Sequence, residues 1–122
     1  MLNAHEPYSV EFLHPVEART ATGNGTGVNV RDYIGRGKMI LDCAAGTGTT
    51  PTLAVRLQDS ADNVTYADVA GGVFTQVTTV ASQQQLGITL DATREWVRLA
   101  WTIGGSTPSF TFSATLQGWR QL

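Results

Sequence analysis

The chain has 122 residues, a length that accommodates one domain with a single hydrophobic core. Its formal net charge is -2 and its eight lysines and arginines are scattered, which excludes the basic stripe typical of proteins that bind nucleic acid or anionic membranes. The single cysteine, Cys43, excludes an internal disulfide, and its apolar neighbours predict a buried thiol.

The first 27 residues differ in composition from the rest, and we interpret them as an extended N-terminal arm or an edge segment. Residues 1–11 lack the pattern of a signal peptide, and no later run approaches a membrane span of about twenty apolar residues. Residues 8–16 could form a strand, whereas residues 18–28, ARTATGNGTGV, are too polar and glycine-rich for a core strand. We therefore predict a soluble chain with an arm at 1–27 and a domain at 28–122.

The segment KMILDCAAGTGTTPTLAVRLQDS, residues 38–60, resembles the cofactor-binding motif of S-adenosylmethionine-dependent methyltransferases. A strand, a Gly46-x-Gly48 turn and a following helix would place backbone N–H groups against a ligand. After the turn, however, Leu53, Val55 and Leu57 recur with the period of a strand. The rest of the chain offers no amphipathic helix for a βαβ unit. We therefore predict that these glycines form a loop between two strands and bind no cofactor.

The C-terminal half contains the clearest strands. EWVRLAWTI at residues 95–103 and SFTFSATLQ at residues 109–117 alternate apolar and polar side chains, and GGSTP between them predicts a hairpin loop. Upstream, QLGITL alternates in the same way, and VFTQVTTV at residues 73–80 predicts a strand at an edge or with a bulge.

Counting the two strands that flank the Gly-x-Gly loop, the sequence predicts six strands, with one or two more in residues 8–16 and 28–33. Seven or eight short strands with glycine-rich turns are typical of an all-β, two-sheet antiparallel β-sandwich. The extended N-terminal arm would then reach outside this sandwich.

Metal binding is a weak interpretation of this sequence. Asp59, Asp62 and Asp68 depart from the spacing of calcium loops, and we predict a hairpin tip whose Asp and Asn side chains bond their own backbone. His5 and His14 match no zinc spacing, so we interpret both as solvated.

No nucleophile constellation is present, because no Gly-x-Ser-x-Gly turn occurs and Cys43 has no evident His and Asn partners. We therefore expect no enzymatic activity. The aromatic residues Tyr66, Trp96 and Trp119 could stack on sugar rings or pack at subunit contacts.

Taken in order, several motifs resemble the capsid decoration, or cement, proteins of tailed bacteriophages, a family of small β-sandwich proteins. The motifs are Gly-Thr-x-Pro-Thr-Leu before a strand, Leu-Gln-Asp-Ser-x-Asp at its end, and Trp-Val-Arg followed by Gly-Gly-Ser-x-Pro-Ser-Phe. The resemblance covers about residues 14–118.

This resemblance implies a non-enzymatic virion protein, made in the host cytoplasm, that binds the outer capsid surface and stabilises joints between major capsid subunits. It implies the major capsid protein and neighbouring copies of the same chain as partners, with a trimer favoured. We predict Tyr8, His14, Trp96 and Trp119 as contact residues. The alternative is a carbohydrate-binding or tail- and fibre-associated module of the virion.

Overall fold

The structure, a computed structural model, describes residues 8–121 and is all-β, as the sequence predicts. The strands are β1 (Tyr8–Arg19), β2 (Gly23–Asn24), β3 (Val28–Asn29), β4 (Tyr33–Cys43), β5 (Thr47–Ser60), β6 (Ala67–Val73), β7 (Ser82–Thr89) and β8 (Trp96–Arg120). Helical structure in this range is limited to one 3₁₀ turn, Leu90–Ala92. No helix among the described residues is long and apolar enough to span a membrane.

The eight strands form one antiparallel sheet in the order β6-β5-β8-β4-β7, and β1, β2 and β3 also pair with β8. The expectation of two separate sheets is not confirmed, because β8 runs through both halves of the molecule. The predicted hairpin at GGSTP is wrong for the same reason. Residues 96–120 are one strand that pairs first with β5 and then with β4.

Four chain segments lie side by side along this sheet. Residues 8–29 and residues 33–60 flank β8 on either side, and residues 67–89 run along the far edge of the second segment. All four segments bend at the same position along the strand direction, so one half of the sheet lies over the other. We call the two halves the β4 half (β1, β4, β7 and the end of β8) and the β5 half (β2, β3, β5, β6 and the start of β8).

The edges of the folded sheet nearly close into a barrel. Parts of β6 and β7 contact each other on one side. On the other side, an added Cβ on Gly25 would lie 2.8 Å from the Leu13 carbonyl oxygen. The bare glycine backbone therefore lets the β5 half approach β1.

The inward faces of the two halves form a single apolar core. The predicted alternation is confirmed in β5 and β8, where the apolar face is buried. Its buried members are Leu53, Val55, Leu57, Val97, Leu99, Trp101, Phe110, Phe112, Ala114 and Leu116. Trp101 of the β5 half meets Phe112 of the β4 half edge to face, with ring centroids 5.7 Å apart. The core is thus closed by contacts between distant parts of one strand.

The segment with the two glycines joins β4 to β5 without a helix, as predicted, but only Gly46 lies in the loop between these strands, because Gly48 already belongs to β5. Two similar motifs face each other across the antiparallel pair of β5 and β8. They are Gly48-Thr-Thr-Pro51 in β5 and Gly105-Ser-Thr-Pro108 in β8. Gly48 and Gly105 have φ values of 111° and 109°, and an added Cβ on either would meet backbone oxygens of the other motif at 2.6 Å. The left-handed backbone and the close approach both require glycine.

The strand predicted at residues 73–80 is wrong. β6 ends at Val73, and beyond it Val77 alone forms an isolated bridge, to Leu53. Phe74 and Val77 are nevertheless both buried, because an irregular chain can turn two side chains inward that a strand would place on opposite faces. β6 itself was missed, since its sequence ADVAGGV is poor in strand-forming residues.

A substitution at Gly46 tests how tightly the chain packs at the bend between β4 and β5. An added Cβ would overlap the Phe110 ring and lie 2.6 Å from the Thr78 carbonyl oxygen. We expect Gly46→Ala to lower the free energy of unfolding by about 1–3 kcal/mol, as overpacking does. Urea denaturation measures this loss.

Gly87→Ala is the matched control, because its Cβ would approach only the far end of the flexible Arg36 side chain. We expect its free energy of unfolding to change by no more than about 0.5 kcal/mol. Equal losses for the two variants would contradict the packing described at the bend.

Candidate functional site

A strip of exposed apolar side chains crosses the outer face of the β4 half. Alternate residues of β1 point outward at Tyr8, Val10 and Phe12, and Trp119 of β8 stands directly opposite Tyr8. On the far side of Trp119, β4 adds Ile34 in the same register row. We call these five side chains the apolar strip; their exposed fractions range from 42% for Ile34 to 64% for Phe12.

The two aromatic residues of the strip hold each other in place. The Tyr8 and Trp119 rings meet edge to face with centroids 5.0 Å apart. The Tyr8 hydroxyl donates to Gln117 Oε1 at 3.1 Å, on the neighbouring row of β8. Both rings remain nearly half exposed while their positions are fixed. Such pre-ordered aromatic side chains bind a partner with little further loss of side-chain freedom.

β1 is the edge strand that carries most of the strip, so residues 8–19 lie against β8. Its register shifts twice, between Phe12 and His14 and between His14 and Glu17. Leu13 points inward by alternation with Phe12, and the first shift turns the next residue, His14, inward as well. The bulge therefore places two consecutive side chains in the interior.

His14 is 1% exposed, so the prediction that it is solvated is wrong, and its ring is covered by its own chain. The ring stacks on Phe112 with centroids 4.0 Å apart, and Arg19 Nε donates to His14 Nε2 at 2.9 Å. Burial lowers the pKa of His14 below its usual value, against an opposing hydrogen bond to the Phe112 carbonyl. His5 lies outside the described residues.

Trp96 and Trp119 lie on different faces of the molecule. Trp96 starts β8 in the β5 half, opposite Asn29 and Ser60, and is half-buried. Trp119 belongs to the β4 half. Of the four predicted contact residues, the structure thus brings together Tyr8 and Trp119 and separates them from His14 and Trp96.

The outer face of the β5 half carries a polar network. Asp68 accepts from Arg56 Nε at 3.1 Å and from Gln58 Nε2 at 2.9 Å. Gln58 in turn accepts from Arg98, whose guanidinium lies 4.1 Å from the centre of the Tyr66 ring. Hydrogen bonds from Gln58 and Arg56 lower the pKa of Asp68, so its charged carboxylate already has partners on the protein.

The three aspartates of the predicted hairpin tip each have different hydrogen-bond partners. Asp59 accepts from Arg94, with 2.8 Å between Arg94 Nη2 and Asp59 Oδ1. Asp62 accepts from the backbone N–H groups of Thr65 and Val64, and these bonds lower its pKa. The prediction that the tip bonds its own backbone is confirmed for Asp62 but not for the other two aspartates. Within residues 8–121, no cluster of three or more His, Cys, Asp or Glu side chains could hold a metal ion.

Cys43 is buried at the end of β4, as predicted. Burial, aided by the neighbouring Asp42, raises the pKa of its thiol to about 11. The thiolate required of a nucleophile is therefore scarce at neutral pH.

No protein-family model and no curated protein sequence matches the chain. Among solved structures, the chain is similar to the SPBc2 prophage-derived protein YomS, with a TM-score of 0.55 and 9% identity over 97% of this chain and 99% of that protein. It is also similar to a chain in the structure of infectious bursal disease virus, Gx strain, with a TM-score of 0.51 and 10% identity. That match covers 96% of this chain and 37% of the other. At this level of identity the likeness shows a shared fold.

Neighbouring residues of β1 distinguish its two faces. We expect Leu13→Ala to lower the free energy of unfolding by about 2–5 kcal/mol, because Leu13 is 4% exposed in the core. We expect Phe12→Ser to change it by no more than about 0.5 kcal/mol, because Phe12 faces outward. Thermal and urea denaturation measure both. A larger loss for Phe12→Ser than for Leu13→Ala would refute the assignment of Leu13 to the core and of Phe12 to the outer face.

Proposed function

We propose that this chain is a non-enzymatic structural protein of a tailed-bacteriophage virion, which binds the outer surface of the head and stabilises contacts between major capsid subunits. The apolar strip is the observation that carries this proposal. Outward faces of antiparallel sheets are usually polar, whereas this one presents Tyr8, Val10, Phe12, Ile34 and Trp119 together.

The strip has the features of a protein-binding surface. Aromatic side chains carry a large share of the binding energy at interfaces, and the strip contains Tyr8, Phe12 and Trp119. Their fixed positions reduce the entropy lost on binding. Hydroxyl and amide side chains border the strip on β8, at Thr115 and Gln117, and can hydrogen-bond a partner without the desolvation of a full charge.

The structural neighbours support a virion role, since one is prophage-derived and the other belongs to a virus structure. A head offers many identical sites, so modest contacts per copy add up if the copies also bind each other. We therefore include self-association in the proposal, with a trimer as the favoured form. The buried thiol of Cys43 and the paired nitrogens of His14 are consistent with a non-enzymatic role.

The alternative is a glycan-binding or tail-associated module. The polar network of the β5 half favours it, because Arg98, which lies over the Tyr66 ring, is linked by hydrogen bonds through Gln58 to Asp68 and Arg56. Polar groups beside an aromatic ring suit a sugar. However, Arg98 lies over the Tyr66 ring, and the network's groups already bond each other. A sugar would have to displace these bonds, so we favour the capsid proposal.

Binding to heads tests the proposal directly. Co-sedimentation of the chain with undecorated heads of its own virus gives the apparent affinity. We expect the double variant Phe12→Ser/Trp119→Ser to reduce this affinity at least tenfold, about 1.4 kcal/mol, because aromatic anchors at an interface are typically worth that much or more.

The matched control is Val64→Ser/Val80→Ser, which removes two exposed apolar side chains outside the strip. We expect it to bind heads as the unchanged chain does. Circular dichroism must show the same β spectrum for both double variants. Failure of the unchanged chain to sediment with heads, combined with retention on a glycan array that Tyr66→Ala abolishes, would reject the capsid proposal and favour the alternative.

A further inference from the structure

His14 is a buried ionisable group whose two ring nitrogens both have partners. Nδ1 lies 3.0 Å from the Phe112 carbonyl oxygen, which can only accept, so Nδ1 carries the hydrogen. Nε2 receives the N–H of Arg19 Nε at 2.9 Å, so Nε2 carries none. The hydrogen bonds therefore specify a neutral imidazole in its Nδ1–H tautomer.

Few charges surround the ring. Glu17 and Arg19 face it from β1 itself, joined by a salt bridge of 2.8 Å. β8 presents the rings of Phe112 and Trp101, the second meeting His14 edge to face at 4.9 Å. The groove beside His14 is completed by residues 24–26 and Val28, none of which is ionisable.

A second proton on His14 disrupts this arrangement. Nε2–H would then point at the N–H of Arg19, so two donors and two positive charges would stand 2.9 Å apart. Glu17 is already bonded to Arg19 and half exposed, and therefore offsets only part of this repulsion. The ring must leave its site, or Arg19 must.

The backbone gives residues 13–16 of β1 little other support, and regular pairing with β8 resumes only at residues 17–19. Between the two register shifts, only His14 has a partner on β8, Ala114. Pro15 follows and has no N–H to donate. The side-chain bonds of His14 and Arg19 thus stand where the backbone ladder is interrupted.

We propose that His14 and Arg19 form an acid-sensitive latch, which holds residues 13–19 of β1 on β8 while the ring is neutral and releases them when it takes up a proton. The segment released adjoins the outward part of β1 that carries Tyr8, Val10 and Phe12. If the proposed function holds, acid would therefore also loosen the surface that binds the head.

The direction of the pH effect follows from the lowered pKa of His14 in the folded chain. The latch is intact above the ordinary histidine pKa of about 6.5. It weakens as the pH falls below that value, and the loss levels off below the folded pKa. For each pH unit between the folded and the ordinary pKa, the equilibrium constant that favours the closed latch falls about tenfold.

Nuclear magnetic resonance of the ¹⁵N-labelled chain tests the tautomer. Long-range ¹H–¹⁵N spectra at pH 7.5 are expected to show His14 as the Nδ1–H form, with His5→Gln used to assign its signals. An Nε2–H tautomer, or a charged ring at pH 7.5, would overturn the proposal.

Hydrogen exchange tests the release. Between pH 7.5 and pH 5.0, after correction for intrinsic rates, we expect the amides of residues 13–19, apart from Pro15, to lose protection while Met39 and Leu41 of β4 keep theirs. His14→Gln retains a donor and an acceptor but does not titrate, and it should abolish this difference. A difference that persists in His14→Gln, or an equal loss of protection throughout β4 and β8, would overturn the latch.

Arg19→Met provides a second variant should His14→Gln fold poorly. Arg19 lowers the pKa of His14, so its removal is expected to move the midpoint of the His14 titration to higher pH. An unchanged midpoint would show that the two residues do not act together. None of these measurements uses heads, so their outcome is independent of the capsid-binding experiment.

Discussion

The bend shared by the two central segments is the constraint on which the rest of the structure depends. β8 can line both halves of the core only if residues 33–60, which run beside it, turn at the same level. Gly48 and Gly105 make this possible, because their left-handed backbones let the two Gly-x-Thr-Pro motifs pack against each other. Once the central pair folds over, the inward faces of β5 and β8 meet across one core, and the outer segments follow by pairing.

The sequence predicts strands well where one face alone is apolar, as in β5 and β8, since a period of two has no other simple explanation. It cannot distinguish a strand that bends from two strands joined by a hairpin. GGSTP carries the same turn chemistry in either case, and only the partner strand, far away in sequence, decides between them. The irregular residues 74–81 show the related limit, because tertiary packing buries Phe74 and Val77 without a regular strand.

The sequence shows the individual residues of the apolar strip, but it does not show that they form one surface. Tyr8 and Trp119 stand out as aromatic residues, yet their pairing depends on the register of β1 against β8, which lies over a hundred positions away in the chain. The alternation of Tyr8, Val10 and Phe12 indicates a strand with one apolar face, and such a face normally belongs to the core. In this protein the register of residues 8–12 against β8 turns that face outward, and the bulge after Phe12 then brings His14 inward beside Leu13; neither the register nor a bulge has a reliable signature in a single sequence. The burial of His14 follows from the same local feature.

Exposed apolar edge strands usually invite further strands to pair with them, which leads to aggregation. β1 limits that hazard, since Pro15 removes one donor and two register shifts interrupt the regular backbone ladder. Its outward side chains remain available, held by the Tyr8–Trp119 pair. A partner is therefore better accommodated on the face of the β4 half than along its edge. Face contact of this kind relies on the side chains of a folded partner, and it disfavours capture of a loose extended peptide by strand addition.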